Sequence, residues 1–346
     1  MENNPTNAKK RNPLWMASLI LGVFLQIALA AYVVSVVVGG NQPPLSAGLP
    51  TVVVDSSKES PAGSKETGGT SKKSSAGSKE STDASDKECI QSLAHDKVID
   101  ASEWHVEPSL FRKLLRRPNK DLTEFEASHN SDDTVVDCLK GFPITRLVLV
   151  DTHITRAALN DIATMDHLQD LEIDGIKPTP DDLETLMRLP HLSKLRLTNC
   201  DLSDQCVAIL SKHHIVELVL DRNPHITDAG LTLLAKSPVT NLALGETAIT
   251  DHGVKQLSNS AVLRDLLIWK NNISDESLHS LATMKKLALL DLSYTNITDK
   301  GLQSFAPIAL KKLVLRSCTG LTPKAIKDFK NRNPNCYIAT ENGTVD

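Results

Sequence analysis

The sequence predicts an α/β solenoid, with a parallel concave sheet and short convex helices, preceded by one transmembrane helix and a disordered linker. Three observations predict this architecture. An uncharged apolar run lies near the N-terminus, a segment rich in Ser, Gly, Lys, Glu and Pro follows it, and one residue pattern recurs through the rest of the chain.

The composition excludes several classes of protein. The 346 residues are 40% hydrophobic, 3% aromatic and 23% charged, with a formal net charge of −4. This balance excludes a collagen, a fully disordered chain and a polytopic membrane protein. It also lacks the strongly basic character of a nucleic-acid-binding protein, so no nucleic acid partner is predicted.

Residues 14–38 are predicted to form the transmembrane helix, and their only strongly polar side chain is Gln26. A helix of this length reaches roughly 37 Å, more than the ~30 Å of a bilayer's hydrocarbon core. Lys9, Lys10 and Arg11 precede it. This positive charge places residues 1–13 in the cytoplasm as a short tail, and everything after the helix on the far side: periplasmic, extracellular or lumenal.

A cleaved signal peptide is the alternative for this segment. Ala28-Leu29-Ala30 resembles a cleavage site, and cleavage there would yield a secreted protein. However, the apolar run continues through Tyr32 and Val34, beyond the length of a signal's apolar core. The sequence therefore favours an uncleaved signal-anchor, although cleavage after Ala30 stays open.

Residues 39–88 are predicted to form a flexible linker. Ser, Gly, Lys and Pro dominate the segment, and a near-repeat appears at 61–66 and again at 75–80. Few apolar side chains are present to offset the entropy of ordering, so we expect disorder. A flexible chain of this length has a root-mean-square span on the order of 35–40 Å.

The third region repeats one pattern eight times. Its first position recurs every 23 or 24 residues, at Ile144, Leu168, Leu192, Ile215, Val239, Leu263, Leu287 and Leu310. Apolar residues at repeat positions 4 and 6 alternate with polar ones, which predicts a strand with one buried face. A Thr/Ser-Asp pair, such as Thr250-Asp251, then opens a short helix by capping it.

The ends of this region are less regular. Residues 89–143 contain two degenerate copies of the pattern, which are expected because a terminal repeat has one face without a neighbour. Residues 144–338 contain the regular repeats and a C-terminal cap. Residues 339–346 are predicted to be a loose tail.

The repeated pattern L-x-x-L-x-L-x-x-[TNC]-x-[IL]-[TS]-D resembles the cysteine-containing leucine-rich repeat subfamily, which is known from F-box proteins and from bacterial surface proteins. Position 9 departs from that subfamily, because it is Cys only at Cys200 and Cys318. The resemblance implies a surface that binds proteins, and it implies no catalytic residue.

No motif for catalysis or for a cofactor is found. The sequence contains none of the nucleophile-elbow, phosphate-loop, zinc or calcium motifs, so we predict no enzyme activity, catalytic residue, cofactor, metal or small-molecule substrate. The adjacent His213 and His214 are interpreted as solvated loop residues. Whether Cys318 and Cys336 form a disulfide stays open.

The concave face is where a partner is expected. Its early strands are rich in acidic residues, including Asp170, Glu172 and Asp174, whereas its later strands combine apolar, aromatic and basic residues. That composition is typical of protein-binding hot spots. The candidate partner-binding residues are Val219, Arg222, Leu267, Trp269, Lys270, Leu289, Tyr294 and Arg316. The alternative for Trp269 is that it merely covers its neighbours.

The function expected from these observations is a membrane-anchored, non-catalytic protein–protein interaction module that presents its repeats outside the cytoplasm. One alternative is an F-box-like substrate adaptor of a ubiquitin ligase, although residues 89–118 lack the Leu-Pro opening of an F-box. An enzyme with an unrecognised site and a purely structural envelope protein are further alternatives.

Overall fold

The computed structural model describes residues 98–101, 122–127, 131–307 and 309–345. The predicted transmembrane helix at 14–38 and the predicted linker at 39–88 lie outside these described residues. Within the described part of the chain, no helix is both long enough and apolar enough to cross a bilayer.

Short strands and short helices alternate along the described chain. The strands are β1 Val98–Ala101, β2 Glu124–Ala127, β3 Arg146–Leu149, β4 Asp170–Asp174, β5 Lys194–Thr198, β6 Glu217–Val219, β7 Asn241–Ala243, β8 Asp265–Leu267, β9 Leu289–Asp291, β10 Lys312–Val314, β11 Tyr337–Thr340 and β12 Gly343–Val345. The helices are α1 Asp133–Cys138, α2 Arg156–Ile162, α3 Pro180–Leu186, α4 Asp204–Leu210, α5 Asp228–Leu234, α6 Asp251–Leu257, α7 Asp275–Leu281, α8 Asp299–Ser304 and α9 Pro323–Arg332.

The strands form one sheet in the order of the sequence, and neighbours from β1 to β11 are parallel. The register advances by one repeat per strand, so that Leu218 pairs with Leu242 and Leu242 with Leu266. The predicted solenoid with a parallel sheet is therefore confirmed.

The C-terminal end differs from the prediction. β12 pairs antiparallel with β11, and Thr340 lies opposite Gly343 in a tight hairpin. Ala339 and Thr340 are buried. Residues 339–345 are therefore an ordered edge of the sheet, not a loose tail, because they continue the backbone hydrogen bonding of the last repeat.

The core is one continuous apolar stack. Leu242 and Leu244, at positions 4 and 6 of their repeat, are buried together with Val254 and Leu257 from the following helix. The same positions are buried in the regular repeats, except that Ile326 in the last one is partly buried, so each repeat covers the apolar face of its neighbours. Phe305 and Phe329 stack with ring centroids 5.9 Å apart near the C-terminal end.

The strands β3 and β5 to β10 are each followed by the same tight turn. The non-glycine residues at repeat position 8 have a positive φ of 52–58°, namely Asp151, Asn199, Arg222, Glu246, Lys270, Tyr294 and Ser317. This left-handed conformation is unfavourable for residues other than Gly, Asn and Asp. The turn therefore keeps this conformation only because the surrounding hydrogen bonds stabilise it.

Position 9 supplies those hydrogen bonds. The amide of Asn223 donates to the carbonyl oxygens of Leu197 and Leu220, both at 2.9 Å, and accepts from the backbone N–H of Cys200 at 3.0 Å. Asn271 bonds its own repeat and the preceding one in the same way. At Cys318 the thiol donates to the Leu292 carbonyl at 3.2 Å. Asn and Cys at position 9 thus both link consecutive turns.

A ladder of aspartates runs along the edge where the helices begin. The carboxylate of Asp228 accepts from the backbone N–H of Thr250 at 2.8 Å and from its hydroxyl at 2.7 Å. Equivalent bonds join Asp133 to Thr155, Asp204 to Thr227, Asp251 to Ser274, Asp275 to Thr298 and Asp299 to Thr322. The ladder is interrupted where α2 and α3 begin with Arg156 and Pro180 instead.

The ladder explains the small residue at repeat position 15. A Cβ added at Gly253 would lie 2.3 Å from Asp228 Oδ1, and one added at Gly301 would lie 2.1 Å from Asp275 Oδ1. In the repeat between these two, Ser277 occupies the same position and donates its hydroxyl to Asp251. Position 15 is therefore small because the carboxylate of the preceding repeat occupies that space.

We predict that Asp251→Ala lowers the free energy of unfolding by about 1–3 kcal/mol at neutral pH, because Ser274 and Ser277 lose their charged acceptor. Burial acts to raise the pKa of Asp251, but the hydrogen bonds from both serines outweigh it and lower the pKa. The contribution should therefore be present above the usual Asp pKa and be lost as the pH falls through the lowered value.

Urea unfolding of the full chain at neutral pH and at about pH 3 measures both effects. Asp181→Ala is the matched control, because Asp181 also lies in a first helical turn but, among the described residues, its carboxylate accepts no bond from the next repeat. Equal stability of the two variants at neutral pH would contradict the prediction.

Candidate functional site

The concave face is built from repeat positions 3, 5 and 7. Side chains alternate along a strand, so these positions point away from the core when positions 4 and 6 point into it. The turn residue at position 8, such as Tyr294, directly follows the strand at the edge of this face. Strand neighbours lie about 4.8 Å apart, so residues at one position form a row across the repeats. Two halves of this face differ in chemistry.

The half formed by β2 to β6 is an ion-pair network. Arg196 bonds Asp170 at 2.7 Å and Glu217 at 2.5 Å, and it lies 3.5 Å from Glu172. Arg146 lies between Glu126 and Asp170, at 3.6 and 3.7 Å. The sequence predicts an acidic surface here, and the structure corrects this, because the two arginines alternate with the acids across neighbouring strands.

The half formed by β6 to β11 is more apolar. At position 5, Val219 and Leu267 are half-buried, whereas Ala243 and Val314 are buried. Asp291 interrupts this row and is itself buried. Burial raises the pKa of Asp291, although the hydroxyl and N–H of Ser293 and the nearby charge of Arg316 act to lower it.

The burial of Trp269 agrees with the alternative interpretation of the sequence, that it covers its neighbours, and not with a partner-binding role. Its side chain is 5% exposed, so it is a packing residue and not an accessible hot spot. The indole lies over the backbone of Gly245 in the preceding repeat, where an added Cβ would be 2.0 Å from Trp269 Cε2. The absence of a side chain at Gly245 therefore creates the space that buries the ring.

Tyr294 and Tyr337 are the exposed aromatic residues of this half. Tyr294 is 38% exposed and Tyr337 is 49% exposed. Lys312 Nζ lies 5.9 Å from the centroid of the Tyr337 ring. The backbone N–H of Tyr294 donates to the carbonyl oxygen of Arg316 at 2.8 Å, so the two residues lie in adjacent turns. Arg316 Nε is buried without a hydrogen-bond partner in the described part of the chain.

We name these residues the aromatic–basic patch: Leu267, Leu289, Tyr294, Lys312, Arg316 and Tyr337. The sequence predicts four of them, and Leu289 is half-buried beside Lys312 in the register of β9 and β10. Sequence reasoning missed Lys312 and Tyr337, which are both at position 3. Counting the closing strand as a full repeat would have found Tyr337, because it pairs with Lys312.

The other candidate partner-binding residues lie outside the aromatic–basic patch. Arg222 and Val219 are in the β6 repeat, three strands from Leu289 in β9. Lys270 is exposed and forms an ion pair with Glu246 at 3.1 Å. The structure thus brings together the C-terminal candidates and separates Arg222 and Val219 from them.

No catalytic or metal-binding arrangement is found among the described residues. No group of His, Cys, Asp and Glu there could hold a metal ion. The five described cysteines are free, including Cys318 and Cys336. Burial raises the pKa of Cys200 to about 12 and also raises that of Cys318, so neither thiol is a reactive nucleophile at neutral pH.

Asp221 is a second buried carboxyl on the concave face. It accepts the backbone N–H of Gly245 at 2.6 Å. Burial raises its pKa to about 7, although that hydrogen bond and the charge of Arg222 act to lower it. The sequence gives no signal for this residue, because its burial depends on the Trp269 ring two repeats away.

We predict that Asp221→Asn stabilises the protein only when the carboxyl would be ionised. The folded-state pKa lies above the usual value of 3.8, so the wild type is most stable below that value and loses stability as the pH rises to about 7. The variant keeps an acceptor for Gly245 but cannot ionise. Its free energy of unfolding should exceed that of the wild type by on the order of 2–4 kcal/mol at about pH 8, and match it at about pH 4.

Thermal and urea unfolding across this pH range test the prediction. Asp166→Asn, which changes an exposed carboxyl in a turn, is the control and should show no such trend. A constant difference between Asp221→Asn and the wild type at all pH values would contradict it.

Comparison with known proteins agrees with the geometry. Residues 211–235 and 284–306 match the leucine-rich repeat family. A chain in the crystal structure of the yeast Rad7 and Elc1 complex is similar, with 20% sequence identity and a TM-score of 0.50, over 64% of this chain and 62% of that one. This chain therefore covers less than two thirds of that relative.

Two further solved structures show weaker similarity. Internalin C2 from Listeria monocytogenes has 22% identity and a TM-score of 0.40, over 60% of this chain and 84% of that one. A chain in the TLR13–ssRNA13 complex has 19% identity and a TM-score of 0.43, over 58% and 30%. No curated protein sequence matches the chain.

Proposed function

We propose that this leucine-rich repeat protein is a non-catalytic interaction module that binds a protein partner through the aromatic–basic patch. We further propose that residues 14–38 anchor it in a membrane and that its repeats lie outside the cytoplasm. The observation that supports the binding site is the exposure of Tyr294 and Tyr337 on a rigid sheet beside Arg316.

The two halves of the concave face explain why binding is assigned to one of them. In the N-terminal half Arg146 and Arg196 are already paired with carboxylates, and a partner would have to break those pairs. In the C-terminal half, exposed aromatic rings and half-buried aliphatic side chains lie beside Arg316, which, unlike Arg196, forms no ion pair in the described part of the chain. Tyr and Arg beside aliphatic residues are enriched at the centres of protein interfaces.

The anchor and linker would give this surface a restricted search volume. A tether with a span on the order of 35–40 Å keeps the repeats within tens of ångströms of the bilayer. This raises the effective concentration of the module for membrane-proximal partners. We also assign the repeats to the cysteine-containing subfamily, supported by the thiols of Cys200 and Cys318, which occupy position 9 and donate to backbone carbonyls.

We predict that a photo-crosslinking amino acid at Tyr294 or at Tyr337 captures the same partner in membranes of the source cells. Both side chains are exposed in the same patch, so adducts of one mass are expected at both positions. Arg316→Glu should weaken the adduct about tenfold or more, because it reverses a charge at the centre of the patch.

Leu233 provides the matched control, because it is 39% exposed and apolar but lies on α5. The same crosslinker at Leu233 should give no such adduct. An adduct of equal yield at Leu233, or one at Tyr294 that Arg316→Glu leaves unchanged while the fold is intact, would refute the binding site.

A cytoplasmic adaptor that recruits a second protein is the second candidate. The fold shared with the crystallised Rad7–Elc1 complex is compatible with it. This candidate requires the repeats to lie in the cytoplasm, whereas the basic residues before position 14 favour the opposite orientation.

Protease treatment of intact cells distinguishes the two candidates. If the repeats lie outside the cytoplasm, we predict that a protease which cannot enter the cytoplasm cleaves the predicted linker at 39–88 and releases the repeat domain. Release that begins only together with digestion of a cytoplasmic marker protein would exclude the proposed orientation and favour the adaptor. A cytoplasmic marker protein that stays intact confirms that the cells are sealed.

A further inference from the structure

One edge of the solenoid is strongly basic. The parallel strands place every turn that leads from a helix into the next strand on the same edge, and the six turns between α3 and β10 contain seven Lys or Arg and no Asp or Glu. We name these residues the basic rim: Arg188, Lys212, Lys236, Arg264, Lys285, Lys286 and Lys311.

The positive charges of the basic rim are accessible to an external anion. All seven side chains are exposed. In the part of the chain that the structure describes, each lacks an ion pair within 4.0 Å, unlike Lys140, Lys177 and Lys270. An anion that bound this edge would therefore displace only water, because it would not have to compete with a protein carboxylate.

The opposite edge lacks this excess of basic residues. The turns that follow β5 to β10 contain three acids, Asp201, Asp221 and Glu246, and as many basic residues. The helices that begin there add the aspartates of the ladder, which accept hydrogen bonds from the next repeat. The solenoid is thus polarised across its width.

Helix dipoles account for only part of the basic rim, because Arg188, Lys212 and Lys236 follow their helices by two residues whereas the other four lie further away. Cations stabilise a helix C-terminus, but the effect falls off within the last turn. Lys285 and Lys286 follow α7 by four and five residues, and Lys311 follows α8 by seven. Among the described residues, no rim side chain donates a hydrogen bond to a helix carbonyl.

We propose that the basic rim docks the repeat domain onto the anionic headgroups of a phospholipid bilayer. The inference rests on the proposed membrane anchor, which would keep this edge near a bilayer. A row with about one cation per repeat matches a surface of dispersed negative charge. Each Lys or Arg near such a surface contributes enough attraction for about a fivefold gain in binding.

A nucleic acid is a poorer match for this edge. Proteins that bind single strands combine a basic groove with aromatic side chains on which bases stack. The six turns of the basic rim contain one aromatic residue, Phe305, which is buried. The exposed Tyr294 and Tyr337 belong to the concave face and not to these turns.

The test uses the full chain and vesicles of two compositions, phosphatidylcholine alone and two parts phosphatidylcholine to one part phosphatidylglycerol. A fluorescent amino acid replaces Ala261 in the basic rim or Asn296 on the opposite edge, and both positions are exposed. Energy transfer to a labelled lipid headgroup reports how close each edge lies to the bilayer.

With the anionic vesicles we expect greater transfer from position 261 than from 296, and we expect the difference to vanish at about 1 M salt. The variant with Lys236, Lys285, Lys286 and Lys311 all changed to Gln should weaken docking at least about tenfold. The control variant, with Lys255, Lys300, Lys324 and Lys327 changed to Gln, has the same net charge and should dock like the wild type.

Three results would overturn the proposal: equal transfer from both edges, docking that the rim variant does not weaken, or a rim variant that loses binding to a single-stranded nucleic acid while vesicle docking is unchanged. Failure of the anchor is a separate result. If residues 14–38 do not anchor the chain, it will not float with neutral vesicles. Any flotation with anionic vesicles will then report binding by the basic rim alone.

Discussion

The structure depends on one constraint, which is that a single turn of the solenoid cannot bury its own apolar face. The leucines at positions 4 and 6 are dehydrated only because the same positions of the next repeat lie against them. The aspartate ladder gives this stacking a direction, because each carboxylate bonds the beginning of the helix in the following repeat. Asp228 caps Thr250 in the following turn, and Gly253 is small because that carboxylate lies beside it. Stacking order, helix entry and residue size at position 15 therefore share one physical cause.

Repeat positions that do not face the core are free of this constraint, and their residues differ between repeats. Positions 3, 5, 7 and 8 contain an ion network around Arg196 in one half of the concave face and the exposed Tyr294 and Tyr337 in the other. The fixed turn at position 8 presents residues such as Tyr294 from a backbone that is already ordered. Little conformational entropy is then lost when a partner binds, which favours affinity without a large surface.

The repeat spacing predicted the core well, because each repeat specifies its strand and its helix locally. Side chains whose position depends on a neighbouring repeat were predicted poorly. Trp269 was assigned to the surface by the alternation of β8, but Gly245 in the preceding repeat provides the space that buries it. Glu172 was assigned to an acidic surface, but Arg196 lies one strand away. Ala339 and Thr340 were predicted to be loose because a short closing strand has no periodic signal.

Net charge conceals the polarity of this solenoid. A formal charge of −4 describes a chain without a general affinity for polyanions. However, the periodicity that aligns Asp228, Asp251 and Asp275 on one edge also aligns Lys236 and Lys285 on the other. The aspartates are engaged in hydrogen bonds between repeats, whereas the lysines are exposed and unpaired in the described chain. Positive and negative charges nearly cancel over the whole chain, but the fold places them on different edges of the solenoid. The charge of an edge, and not the net charge of the chain, therefore determines which surface this module can approach.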